Sequence, residues 1–370
     1  SAGIAGPAGR ADGRSGAVHG PIGRRFSARR GAQRRARLRA VRARPKVAVS
    51  IDPPEARMPL PRLLAVGGAH VDRRGHVTGT YIPGTSNPGV LREEIGGVVF
   101  NALRNAVQRG VSGALLSVRG GDAAGEAVAR AIAAAGVEDL SATFLDRRTP
   151  SYTALLDGDG ELIAGLADME LYEVAFPRQA ARAKLRAAIA AADAVLCDAN
   201  MPAVALEKLA AACAEKPLHA IAISPAKAVR LAGLLPRISC LFMNRAEARR
   251  LAGAGDDAQP AALATALRAK GLAAGVITAG SDGATGFDPG GTFSIAAPAA
   301  RRIADVTGAG DALAGATIAA LMRGLPLPAA LREGLAAAML TVEQASAVVE
   351  LEAGAFAAAL ALVPGPLMVA

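Results

Sequence analysis

The sequence predicts an α/β protein, a three-layer α/β/α sandwich around a mostly parallel central sheet, with a small β-rich lid beside it. Three observations carry this reading. From Arg62 onward, short apolar runs alternate with Ala-rich stretches of helical period, the signature of strands joined by crossover helices. The chain is 52% hydrophobic but only 3% aromatic, without Trp, so its core is aliphatic. Two segments, near 72–95 and 150–170, break the alternation with glycine, proline and short alternating runs.

Taken in order, Leu63-Leu64-Ala65-Val66 is a strand running into the Gly67-Gly68 turn. Gly97 to Gly110 reads as a helix with Val98, Ala102, Ala106 and Val107 on one side. A strand at Ala114–Val118 and a helix at Ala123–Ala135 follow, the helix ending at Gly136. Later strands are Ala194–Cys197, Ala220–Ile223, Cys240–Met243 and Gly275–Thr278, with helices at Ala203–Glu215, Ala246–Ala252 and Ala261–Lys270 between them. Ala353–Ala370, broken by Pro364-Gly365-Pro366, reads as a buried helix followed by a short tail. In the lid, Asp157-Gly158-Asp159-Gly160 separates two runs between Tyr152 and Leu166, a strong hairpin signal.

The net charge of +10 is unevenly placed. Residues 1–57 hold 13 Arg and Lys46 against only Asp12, Asp52 and Glu55, so 58–370 is close to neutral. A nearly neutral, aromatic-poor body argues against nucleic acid as a partner. The leader, rich in Gly, Ala, Arg and Pro, reads as a disordered segment outside the folded domain of residues 58–370. It could be a basic arm, an Arg-rich transit peptide, or an extension upstream of a start at Met58. No apolar stretch reads as a membrane span. Cys197, Cys213 and Cys240 fit neither a zinc site nor a disulfide framework, which suggests a reducing, cytoplasmic setting. The four His show no ligand spacing, so no metal site made by the protein itself is expected.

Chemistry concentrates at Asp305-Val306-Thr307-Gly308-Ala309-Gly310-Asp311-Ala312. Glycines just before a helix leave backbone N–H groups free, and the helix dipole makes them an anion site. Asp311 falls in the first turn beside it. A carboxylate facing a bound phosphate is repelled, whereas a general base beside amides that hold developing charge has a use there. The run lacks the Lys of a Walker loop and the third glycine of a dinucleotide fingerprint. An ordinary helix start with a dipole-favoured Asp is the plain alternative.

Val-Thr-Gly-Ala-Gly-Asp-Ala resembles the C-terminal signature of the ribokinase-like (PfkB-type) carbohydrate kinases. The family's N-terminal signature is matched by Gly96-Gly97-Val98-Val99-Phe100-Asn101, opening a helix that ends at Gly110. Asn244-Arg245-Ala246-Glu247 is similar to its Asn-x-x-Glu, and Thr278-Ala279-Gly280-Ser281-Asp282-Gly283 to its nucleotide loop. The four motifs, in the family order, span residues 63 to about 345. Ser86-Asn87-Pro88-Gly89, the 152–162 hairpin and Ala167-Asp168-Met169-Glu170 are most similar to the branch that phosphorylates the C-nucleoside pseudouridine at its 5′-hydroxyl.

The resemblance implies ATP as phosphoryl donor, with Asp311 as base and Gly308, Ala309 and Gly310 as the anion hole. Asp72, Gly96, Gly97 and Asn101 would hold the sugar. Asn244 and Glu247 would position Mg²⁺ through water, and Thr278, Gly280, Gly283 and Thr307 would hold the nucleotide. It further implies a homodimer through the lid and allows a monovalent cation such as K⁺ near Asp305. Seen alone, Asn-x-x-Glu is a capping box and Arg147-Arg148 a solvated pair. The chain departs from the family pattern at Phe100, where Arg or a small residue is expected, and at His70, which replaces Asn. Both departures leave open another sugar or nucleoside acceptor, such as ribose or a sugar acid, or a catalytically idle nucleoside binder.

Overall fold

The computed structural model describes residues 59–369; the Arg-rich leader lies outside the described residues. Among the described residues sixteen strands form, and their chain order is β1 (Arg62–Val66), β2 (His70–Val77), β3 (Gly89–Gly96), β4 (Ser112–Leu116), β5 (Val118–Gly120), β6 (Glu138–Asp139), β7 (Ala142–Phe144) and β8 (Ser151–Leu156). Then come β9 (Leu162–Asp168), β10 (Ala194–Asp198), β11 (Leu218–Ile221), β12 (Cys240–Asn244), β13 (Gly275–Thr278), β14 (Ala284–Asp288), β15 (Gly291–Ile295) and β16 (Leu367–Val369).

Ten of them make one sheet, in the order β16-β15-β14-β13-β12-β11-β10-β1-β4-β6. From β6 to β13 every pairing is parallel; β14, β15 and β16 add an antiparallel edge. In β1 all four residues from Leu63 to Val66 are at most 1% exposed, as expected where helices cover both faces. Strand alternation sorts these apolar residues into two cores. Leu64, Val66, Leu116, Val195 and Cys197 face one helical layer; Leu63, Ala65, Leu115, Ala194 and Leu196 face the other. This is the predicted three-layer sandwich.

The second layer contains helices Val98–Gln108 and Ala309–Met322, which bring the site together. A Cβ on Gly315 would lie 2.1 Å from the carbonyl oxygen of Ala102. The missing side chain therefore lets the two backbones touch, and this fixes the distance between Asn101 and Asp311 near their N-termini.

β3-β2-β8-β9 form a separate four-stranded sheet, with β2–β3 and β8–β9 antiparallel and β2–β8 parallel. At the β8–β9 turn, Asp157 Oδ1 accepts from the amides of Asp159 and Glu161, at 3.0 and 2.9 Å.

Three local expectations change. The helix at the C-terminal signature begins at Ala309, three residues before Ala312, because Gly308 takes a left-handed cap conformation at φ 81°. The C-terminal helix, Ala353–Leu362, buries only Phe356 and Ala359 and leaves most of its residues exposed. Alanine periodicity gave no face to distinguish. The tail after it is ordered: Leu367–Val369 pairs with β15 and closes that sheet edge.

Candidate active site

Parallel sheets bind ligands at the carboxyl ends of their strands. Here those ends carry Gly67-Gly68 after β1, Asp198 on β10, Asn244 on β12 and Thr278 on β13. Asp311 approaches from the helix that begins beyond them.

Asp311 Oδ2 accepts a hydrogen bond from Asn101 Nδ2 at 2.8 Å. Desolvation raises the carboxyl to about 7, with the charges of Asp198 and Asp72 pushing the same way and Asn101 and Arg104 opposing. The Asn101 carbonyl oxygen in turn accepts from the Arg104 guanidinium, which also donates to Ile95 O at 3.0 Å. Burial lowers Arg104 to about 10, and the neighbouring acids Asp311, Glu94 and Asp72 oppose that shift, so it stays cationic at neutral pH. The first turn supplies the complementary donors. Ala309 N–H reaches Val306 O at a long 3.4 Å, while among the described residues the amides of Gly308, Gly310 and Asp311 meet no acceptor. A Cβ on Gly310 would enter open space; one on Gly308 would strike the Ala347 carbonyl at 2.1 Å.

Asp72, on β2, stands across the opening. His70 Nε2 lies 3.3 Å from Asp72 Oδ1, and His70 Nδ1 lies 3.1 Å from the Tyr172 hydroxyl. A Cβ on Gly96 would fall 2.1 Å from Asp72 Oδ2, so a side chain there would displace the carboxylate. Gly97, at φ 107°, caps the helix that carries Asn101. Asp72, Gly96, Gly97, Asn101 and Asp311 thus form one cluster.

A cavity of about 550 Å³ opens between the lid face and residues 304–307; Asp72, Arg74, Arg92, Glu94, Tyr152 and Thr307 are among its walls. Arg74 Nη1 reaches across to Asp305 Oδ2 at 2.6 Å, while Asp305 Oδ1 accepts from Thr307 N at 2.9 Å. Although burial pushes Asp305 up, the Thr307 bonds and the Arg74 charge outweigh it and hold the carboxyl below its ordinary value.

Asn244 and Glu247 form a complete capping box. Asn244 Oδ1 accepts from Glu247 N at 2.9 Å, Glu247 Oε2 from Asn244 N at 2.8 Å, and Glu247 Oε1 from Asn244 Nδ2 at 3.0 Å. Burial raises the Glu247 carboxyl. Asn244 pairs in register with Thr278, which leads into the turn at Gly280 and Gly283. This second group shares no hydrogen bond with the Asp311 cluster. No group of three or more His, Cys, Asp or Glu is placed to hold a metal among the described residues. The amides without acceptors in the Gly308–Asp311 turn, and the open space at Gly310, fit a phosphate group.

The Phe100 side chain is fully buried in the core, and the Arg104 guanidinium lies 4.6 Å from its ring centroid. Arg147 and Arg148 are exposed, with Asp146 3.7 Å from Arg147.

Sequence reasoning missed Asp198, Arg104 and the Arg74–Asp305 bridge. Asp198 is wholly buried, and its oxygens accept from the amides of Gly68, Val99 and Asn200 at 3.2, 3.3 and 3.0 Å. It pins the turn before Asp72 and the helix before Asn101. An acid ending an apolar strand and an Arg three residues after Asn101 were the available signals.

Residues 61–353 match the pfkB family of carbohydrate kinases. The pseudouridine kinase of Escherichia coli is 28% identical over 273 residues, covering 73% of this chain and 87% of that one. A carbohydrate kinase from Agrobacterium tumefaciens is 46% identical with a TM-score of 0.75, over 84% of this chain and all of that one. Arabidopsis thaliana ribokinase, solved with ribose and ATP, shares the fold at 22% identity and TM-score 0.72, covering 82% of this chain and 99% of that one. No helix among the described residues is long and apolar enough to cross a membrane. With the family model matching residues 61–353, most of the chain, the protein belongs to the pfkB family of carbohydrate kinases.

Proposed function

We propose that this kinase transfers the terminal phosphoryl group of ATP to the 5′-hydroxyl of pseudouridine. The observation that carries the transfer chemistry is Asp311, a carboxyl raised to about 7 beside amides that have no acceptor. A base with this value is largely ionised just above neutrality and still takes a proton well. As the acceptor oxygen attacks, Asp311 Oδ receives its proton, and the amides of Gly308, Gly310 and Asp311 hold the charge that builds on the transferring group. Asp72 accepts hydrogen bonds from two sugar hydroxyls, which orients the acceptor. The lid excludes water, limiting wasteful hydrolysis of ATP. Mg²⁺, when bound with ATP, neutralises phosphate charge, and Asn244 and Glu247 would hold its waters. Thr278, Gly280, Gly283 and Thr307 would line the nucleotide.

The acceptor is chosen from the lid segments and from the 28% identity to a pseudouridine kinase. A homodimer through the lid is part of the reading, supported by Leu91 and Leu166, which leave 63% and 70% of their surface exposed there. A cytoplasmic setting belongs to it as well, and the reading allows a monovalent cation such as K⁺ near Asp305.

The test is to supply Mg-ATP with pseudouridine, uridine, ribose or a sugar acid in turn, reading ADP release and product mass. Turnover of pseudouridine well above the others is expected. Preference for another acceptor keeps the kinase and discards this substrate, and an absence of transfer to any acceptor discards the reading.

A further inference from the structure

The two faces of the β2–β3 ladder follow different charge rules. On the face turned away from the cleft, Arg73 opposes Glu93 and Arg73 Nε donates to Glu93 Oε2 at 2.7 Å. Side chains of opposite charge directly across an antiparallel pair stabilise it. On the cleft face the pairs are like with like: Asp72 opposes Glu94, and Arg74 opposes Arg92. Directly opposed like charges destabilise a sheet unless something else satisfies them. Asp72 has His70, and Arg74 has Asp305. Among the described residues, Glu94 and Arg92 make neither an ion pair nor a side-chain hydrogen bond, although both line the 550 Å³ cavity.

We infer that Glu94 and Arg92 form a donor–acceptor reader for the ring carried by the acceptor sugar, and that the ring presents N–H groups beside a carbonyl. This rests on the nucleoside reading above. The two residues lie two apart on one strand, about 7 Å along it, on the same face. Glu94 only accepts hydrogen bonds and Arg92 only donates them. A ureide edge, N–H next to C=O, offers each residue what it lacks. A pyrimidinedione joined to the sugar through carbon keeps two ring N–H groups flanking one carbonyl. Joined through nitrogen, it keeps one. Glu94 therefore discriminates between the two linkages, because the nitrogen-linked ring leaves an acceptor of this half-buried carboxylate unmet. A carboxylated sugar fits the pattern poorly: its charge would suit Arg92 but meet Glu94 and Asp72 in the adjoining row.

The experiment measures kcat/KM of the full chain for pseudouridine, uridine and ribose, in the wild type, Glu94→Gln and Arg92→Gln. Calorimetric binding of pseudouridine without ATP and thermal melts accompany it. Arg92 is exposed, and Glu94 is half-buried but keeps its size in Glu94→Gln, so the variants should melt like the wild type. Glu94→Gln is expected to shrink the pseudouridine-over-uridine preference by about tenfold, and Arg92→Gln to weaken both nucleosides relative to ribose by about tenfold. Calorimetry should show the same losses. A wild type that phosphorylates pseudouridine while both variants keep its preferences within about twofold overturns the reader and leaves the nucleoside reading intact. A wild type that takes ribose but no nucleoside overturns the nucleoside reading before any variant is made. A preferred sugar acid whose turnover depends on Arg92 also overturns the reader and reassigns that residue to a carboxylate.

Discussion

Asn244 and Glu247 satisfy one another: three hydrogen bonds join them, and both ends of the capping box are closed. Asp311 behaves differently: burial raises the cost of ionising it, and the carboxylates of Asp198 and Asp72 raise that cost further. Asn101 and Arg104 offset part of it. The first group is built like a fold element and the second like a reaction centre. Local hydrogen bonding can serve a scaffold and a ligand at once, whereas a proton acceptor must be kept short of partners.

The comparison is broken most severely at Asp311. Asp311→Ala should lower kcat by roughly 10²–10⁴ with little change in ATP affinity, and a variant with half the wild-type rate would remove the residue from the chemistry. Stability should move the other way. A folded value near 7 lies above the ordinary carboxylate range, so the native state binds more protons between about pH 4 and 7. Stability therefore falls as pH rises through that window and stays lower above it. Asp311→Asn should abolish this slope and melt no lower than the wild type at pH 8, as thermal scans at pH 5 and 8 would show.

Asn101→Leu tests the offsetting partner. Without its donor, the base moves further above 7. The acidic limb of kcat/KM for the acceptor, which rises through about pH 7 in the wild type, should shift to higher pH. A limb that stays in place would show that Asn101 holds the sugar alone.

Glu247 sharpens the opposite pole. Glu247→Ala should cost about 1 kcal/mol through the lost cap. Glu247→Gln should restore much of that in denaturant melts. If Gln restores stability but not kcat at limiting Mg²⁺, the residue serves the metal as well as the helix; recovery of both confines it to capping. The smallest effect belongs to Asp305→Asn. Its pair with Arg74 is about a quarter exposed on both sides, so global stability should change by less than about 1 kcal/mol. The KM for the acceptor should rise a few-fold.

The architecture was legible because most of the parallel strands are short apolar runs; β6, only Glu138-Asp139, gave no such signal. Asp311 could be singled out because the glycines before it mark a helix start with free amides, while Asn101 and Asp72 came with the family resemblance. The antiparallel edge was harder to see: β16 contributes only three residues after Pro364-Gly365-Pro366, too few for a period. Asp198 and Arg104 were missed for another reason. Their meaning lies in contacts across about 100 residues or onto an aromatic ring, and the local signals, an acid ending a strand and an Arg after Asn101, do not specify those contacts. Phe100 stood out only as a departure from the family pattern, and its packing into the core beside Arg104 could not be read from that.

Asp305 carries a last consequence. One oxygen fixes the amide of Thr307, just before the anion hole, and the other takes Arg74 from the lid. In the language of logic this carboxylate is a conjunction: it is fully satisfied only when the lid is down and the turn is formed. A single side chain thus couples the placement of the β2 strand to the shape of the turn that leads into Gly308.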